Sequence, residues 1–163
     1  MLFRSEDGTE QKIEFFSRDQ LPLAVALVVD RSGSVAPLMH EVQSAAYQAL
    51  QLLKADDQVC LFTFARNVEL LEGLTSNRQR VANRIGSIQA GGGTAIADAV
   101  SEALRYLNAT AIDSRRAVIL ISDNQEGSSS VSVSSVVDSA LESEAVVYSV
   151  KVGNDGGNVL GLP

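Results

Sequence analysis

From Leu23 to Val29 the chain runs LAVALVV without a polar residue, and the run closes on Asp30. A short unbroken apolar stretch, β-branched at its end, suits a strand buried on both faces, as in a parallel sheet covered by helices. Val59–Phe64 (VCLFTF) and Ala117–Ser122 (AVILIS, followed by Asp123) repeat the signal, and Ala145–Val152 reads as a fourth strand. Helical patterns alternate with these strands. Pro37–Lys54 places Leu38, Val42, Ala45, Ala49 and Leu53 on one stripe, with Pro37 suited to a first turn. Asn77–Ile88 aligns Val81, Ile85 and Ile88. After Gly91-Gly92-Gly93, Thr94 is placed to cap a third helix carrying Ile96, Val100, Ala103, Leu104 and Leu107. A weaker helix is expected over Val136–Leu141, and edge strands over Gln11–Arg18 and Val68–Leu71. Alternation of strand and helix predicts an α/β fold with right-handed crossovers and a mostly parallel sheet. No repeat or linker divides the chain.

Its 163 residues suit one domain with a real core, and 45% hydrophobic with 20% charged residues argues against disorder. The formal charge of −7 disfavours nucleic acid and anionic membranes as partners. It also opposes the approach of any carboxylate, so a site for one needs a local counterweight. Cys60 is the only cysteine and sits in an apolar run, which excludes an intrachain disulfide and a thiolate zinc site. With His40 as the one histidine, a His-rich metal site is excluded too. No stretch is long and apolar enough to span a bilayer, and charged residues such as Arg4, Glu6 and Lys12 break up the first twenty positions, which do not read as a signal peptide. A polar start and an end at Gly161-Leu162-Pro163 read as an excised part of a larger protein.

Three loops carry the chemistry: Asp30-Arg31-Ser32-Gly33-Ser34, Gly91–Thr94 and Asp123. In an open parallel sheet, ligands bind beyond the carboxyl ends of the strands, where strand order reverses. Asp30 and Asp123 both fall at such ends. Two carboxylates and three hydroxyls, from Asp30, Ser32, Ser34, Thr94 and Asp123, are therefore expected to converge on one divalent cation. Hard oxygen donors favour Mg²⁺, Mn²⁺ or Ca²⁺ over zinc or copper. Mg²⁺ is the first choice, because it keeps several waters and needs few protein ligands; Mn²⁺ comes second. Each loop alone also reads as a plain polar turn or cap.

The order Asp30-x-Ser32-x-Ser34, Gly92-Gly93-Thr94 and Ile121-Ser122-Asp123 resembles a von Willebrand factor type A (VWA) domain of bacterial type, over about Leu21–Gly153. Asp57-x-Val59 and Thr63-Phe64 are secondary matches, and the lead-in EDGTEQKIEFFSRDQLPL is similar to that of bacterial multidomain members. The resemblance implies a Rossmann-like three-layer sandwich: a mostly parallel central sheet with an antiparallel edge strand and helices on both faces. It divides the chain into a lead-in at 1–20, a VWA-like domain at 21–153 and a truncated tail at 154–163, with the family's final helix missing. It implies a metal-ion-dependent adhesion site in which Ser32, Ser34 and Thr94 bind the metal directly and Asp30 and Asp123 act through water. A protein partner's Asp or Glu carboxylate takes the remaining position, because neutral hydroxyl ligands leave the cation electrophilic. The expected setting is a secreted or periplasmic part of a larger bacterial protein. Arg31, Val35 and Asn124 depart from the family pattern, and none removes a ligand. Arg31 is expected either to add positive potential beside the metal or to pair with the fold.

Two other function classes compete. A structural or assembly domain would carry the motif without metal-mediated adhesion. A metal-dependent phosphohydrolase would use Asp30 as nucleophile, but such enzymes have Asp-x-Asp, and Ser32 cannot serve as the acid/base. A serine hydrolase would depend on His40, and no Gly-x-Ser-x-Gly elbow exists. The expectation is a binding module, not an enzyme. Asp98 is expected to bond locally, Asp56 and Asp57 to form a turn, Ser128–Ser135 to be a flexible loop, and Glu126 to reach the site at most through water.

Overall fold

The computed structural model describes residues 20–125 and 127–153, and the backbone of a small antiparallel pair, β1 (Phe3–Arg4) and β2 (Glu10–Gln11). The expected strand over Gln11–Arg18 otherwise lies outside the described residues, as do Glu126 and residues 154–163.

Five strands form the main sheet: β3 (Leu23–Asp30), β4 (Gln58–Phe64), β5 (Val68–Thr75), β6 (Arg115–Ser122) and β7 (Ala145–Lys151). Their order is β5-β4-β3-β6-β7, all parallel except the antiparallel β4–β5 pair at one edge. Alternation along β3 explains both cores. Val25, Leu27 and Val29 face one side, where they meet Val42, Ala46 and Leu50 of α1 (Met39–Gln51) and Val81 and Ile85 of α2 (Arg78–Gly86). Ala24, Ala26 and Val28 face the other, where small side chains leave room for Phe62, Phe64 and the Val100–Leu104–Leu107 stripe of α3 (Ile96–Thr110). Val136 and Ala140 of α4 (Val133–Glu142) pack on this second core. This is the Rossmann-like arrangement expected, with a buried central strand and helices on both faces. Asp57 ties the amino ends of β3 and β4 together, accepting from Leu23 N at 2.9 Å and Lys54 N at 2.7 Å.

Three local expectations change. Gly33–Leu38, with Pro37 inside, is a 3₁₀ turn, and the α-helix starts only at Met39. Strand β5 runs to Thr75, four residues beyond the expected end. Gly73 and Glu72 hid it, yet Glu72 is held by Arg80 at 2.6 Å and Leu74 N–H donates to Tyr106 Oη at 3.0 Å. Thr94 does not cap α3. Ala95 occupies that position without a side-chain bond, and Ser129 Oγ accepts from Ala97 N at 2.9 Å instead.

From β3 the chain crosses to β4 on one side, and it later reaches β6 on the other. The switch point therefore falls between the carboxyl ends of β3 and β6, with α1 and α3 on opposite faces.

Candidate site at the switch point

At the end of β3, Asp30 is fully buried, and both its carboxylate oxygens have donors. Oδ1 accepts from Ser32 N at 2.8 Å, a side-chain turn two residues long that bends the chain out of the strand. Oδ2 accepts from Ser122 Oγ at 2.6 Å, joining the last residue of β3 to the last of β6. Each bond to a charged acceptor is worth about 1.5–3 kcal/mol, and together they offset the cost of burying the carboxylate.

The turn carries Ser32, buried, and Ser34, exposed, with their Oγ atoms 3.0 Å apart. Beside them lies the glycine loop: Gly33 N–H donates to Gly92 O at 2.9 Å, and Gly91 N–H donates to Arg31 O. Gly92 has φ +100°, and a Cβ there would stand 3.1 Å from that of Ala65, so the close approach needs glycine. These bonds hold the segment leading into Thr94 against the segment carrying Ser32. The Thr94 carbonyl accepts from Gly127 N at 3.1 Å and Ser128 Oγ at 2.9 Å. Because Ser129 caps α3, the Thr94 side chain is not spent on that task.

After β6, Asp123 is 8% exposed, and its Oδ1 accepts from Gln125 N at 3.1 Å, the same kind of turn that Asp30 makes. Asn124 takes φ +61°, a conformation that Asn tolerates better than most residues, while its N–H donates to Ser122 Oγ at 3.0 Å. Ser122 thus links both aspartate turns. In the sequence Ser122 is legible only as part of the Ile121-Ser122-Asp123 motif, because its bond to Asp30 depends on the pairing of β3 with β6.

Residues 128–132, expected to be flexible, form a strap. Ser128 holds the Thr94 carbonyl, Ser129 caps α3, and Ser132 Oγ caps α4 by accepting from Ser135 N at 3.2 Å. Asp98, expected to bond locally, accepts from Ser130 N at 2.9 Å and Val131 N at 2.8 Å, more than thirty residues away.

Arg31 lies 3.9 Å from Glu69, a long ion pair between partly exposed side chains. His40 is exposed on α1. Among the described residues, no three or more His, Cys, Asp or Glu side chains gather as a metal site, so any cation here relies on hydroxyl oxygen. The donor set fits such an ion. Two neighbouring ligands of an octahedral cation bound at about 2.0–2.1 Å lie about 2.9 Å apart, close to the 3.0 Å between Ser32 and Ser34 Oγ.

Comparison with known proteins agrees with this architecture. The family model described as von Willebrand factor type A domain matches residues 25–126. Among solved structures, a von Willebrand factor type A protein from Catenulispora acidiphila superposes with a TM-score of 0.72 at 19% identity, covering 83% of this chain and 34% of that one. The manganese-loaded TRAP protein of Plasmodium vivax gives 0.64 at 18% identity, covering 82% and 59%. The type V pili tip protein of Porphyromonas gingivalis gives 0.60 at 16% identity, covering 70% of this chain and 22% of that one. The chain thus spans less than two thirds of the length of each of these three. At these identities the likeness concerns the fold alone. No curated protein gives a significant sequence match.

Proposed function

Because this chain belongs to the von Willebrand factor type A domain family, we propose that it is a binding module in which Asp30, Ser32, Ser34, Thr94 and Asp123 hold one divalent cation. Mg²⁺ is the preferred ion, with Mn²⁺ or Ca²⁺ as alternatives. A carboxylate of a protein partner completes the shell. Residues 21–153 are the working domain. The observation that carries the reading is the cross-linked switch point: Asp30, buried, turns the chain so that Ser32 and Ser34 Oγ lie 3.0 Å apart, and ties that turn to β6 through Ser122. When bound, the cation supplies an electrophilic centre for a carboxylate. The chain's own residues do the rest. Asp30 and Asp123 supply negative charge without occupying every position, and the bond from Gly33 N–H to Gly92 O, next to the segment leading into Thr94, supports Thr94 as the third hydroxyl.

The fold family and the neighbours support binding over catalysis. The pilus tip protein carries a similar fold in a pilus, so we favour a secreted or periplasmic part of a larger bacterial protein. Among the described residues, no helix is long and apolar enough to cross a membrane.

One observation favours a second reading, a structural or assembly domain without working adhesion. Both oxygens of Asp30 already have protein donors, so the turn does not depend on a cation to satisfy it. Calorimetric titration with Mn²⁺ and Mg²⁺ separates the two. The adhesion reading expects one site per chain, weakened at least tenfold in Thr94→Ala, roughly the loss of one good ligand. Unchanged affinity in Thr94→Ala, or no binding by the wild-type chain, overturns it. Hydrolysis of an aryl phosphate that disappears in Asp30→Asn would favour an enzyme instead.

A further inference from the structure

We propose that Arg31 and Arg66 form a cationic rim beside the switch-point site and that this rim reads a second acidic group, so that the partner is an acidic peptide segment presenting at least two carboxylates. The inference rests on the binding reading above and narrows the partner.

The chain carries 20 Asp and Glu against 13 Lys and Arg, so its distant field repels an acidic partner. At physiological salt that field fades beyond about 8 Å, and the charges next to the site decide the final approach. Two arginines stand there. Arg31 directly follows Asp30, and its backbone is pinned on both sides: its N–H donates to Phe64 O at 2.9 Å, and its carbonyl accepts from Gly91 N. Arg66 lies in the β4–β5 turn. A Cβ built at Gly93, the residue before Thr94, would lie 3.9 Å from both Cβ and Nε of Arg66. Both arginines therefore flank the loop that delivers Thr94, on the β4–β5 side of the site.

Most other arginines among the described residues are committed elsewhere; only Arg84, 3.8 Å from Glu72, is as loosely paired as Arg31, and it sits on α2. Arg80 is held by Glu72 at 2.6 Å, Arg105 by Glu102 at 2.5 Å, Arg115 donates to Leu21 O at 3.2 Å, and Arg116 donates to Ser143 O at 2.8 Å. Arg66 has no ion pair among the described residues, and Arg31 has only Glu69 at 3.9 Å, a pair that exposure leaves weak. An exposed guanidinium offers a planar fork matched to a carboxylate, which an ammonium does not. A partner with one carboxylate on the cation and another within a few residues meets both features at once. This supplies the local counterweight that the acidic chain requires.

The test compares two synthetic peptides on the full chain with saturating Mg²⁺: one with a single Asp in a Gly/Ser background, the other with that Asp flanked by two Glu. The wild-type chain is expected to bind the acidic peptide roughly three- to tenfold more tightly, the range of one or two exposed ion pairs. In the Arg31→Gln/Arg66→Gln double variant that preference disappears, the single-Asp affinity changes less than twofold, and the salt dependence of binding becomes shallower. The ¹⁵Nε–H NMR signals of Arg31 and Arg66 shift on adding the acidic peptide and stay in place with the other. Mg²⁺-dependent binding with no preference, or a preference kept in the double variant, overturns the rim and leaves the metal reading standing. Absence of Mg²⁺-dependent binding to either peptide overturns both.

Discussion

The two sides of β3 and β6 are built differently from β7 and α4. At the switch point, side-chain and backbone bonds link β3, β6, the glycine loop and the strap: Asp30 to Ser122, Gly33 to Gly92, Ser128 to Thr94. Every residue of β3 after Leu23 is buried. At the other end of the sheet, no residue of β7 is fully buried, and α4 also buries none. Val133, Val137 and Leu141 recur every fourth residue along α4 and are 71%, 52% and 72% exposed, so this stripe points away from the core. Both regions read as apolar strand or helix in the sequence. What separates them is cover: β3 has strands on both edges and helices on both faces. Stability within such a fold is uneven, and the weakly covered end opens first. A site that must hold several oxygens within a fraction of an ångström belongs at the covered end.

Paired truncations give the largest contrast. Leu27→Ala, in the middle of β3, removes a fully buried side chain and is expected to cost about 2–5 kcal/mol in denaturant unfolding. Leu141→Ala, on the outer stripe of α4, is expected to stay within about 0.5 kcal/mol. Equal costs would mean that the α4 stripe is covered in solution and would remove the distinction between the two regions.

The same contrast explains what could be read from the sequence. The three buried strands, β3, β4 and β6, were legible because their apolar runs leave no other solution, and Asp30 and Asp123 were legible because they close two of those runs. The serine strap was not. Ser128 to Ser132 have no periodicity, and their role is set by what they meet across the fold: a carbonyl at Thr94, the first turn of α3 and the first turn of α4. For the same reason Thr94 looked like a helix cap: it precedes α3 in the chain, whereas the hydroxyl that caps α3 comes from Ser129. The extension of β5 was hidden because Glu72 is an unlikely strand residue until Arg80 and Arg84 of α2 are placed beside it.

The strap gives the next effect. Ser129→Ala is expected to cost about 1 kcal/mol, the usual loss of a helix cap. If the strap also positions Thr94, the variant weakens Mn²⁺ binding by calorimetry while leaving the melting curve of the rest of the domain cooperative. Ser76→Ala, at an exposed serine in the turn before α2, serves as the control and is expected to change neither. A metal affinity unmoved by Ser129→Ala would confine the strap to helix capping.

The smallest effect probes the covered side chemically. Cys60 lies on β4 facing α3, fully buried, with its Sγ donating to Val25 O at 3.7 Å. Burial pushes its thiol up from 9.0 to about 12. The folded value lies above the unfolded one, so folding favours the protonated thiol. That contribution is complete below the unfolded pKa and is lost as pH rises from there toward about 12. Stability should therefore slope downward on the alkaline side by at most about one proton's worth from this residue, and Cys60→Ala should flatten that part of the curve. Alkylation by iodoacetamide in mild alkali should follow global unfolding, since the thiolate forms only when the second core opens. Alkylation faster than unfolding would show that the β4–α3 contact opens locally, and the covered region would then share the looseness of the β7 end.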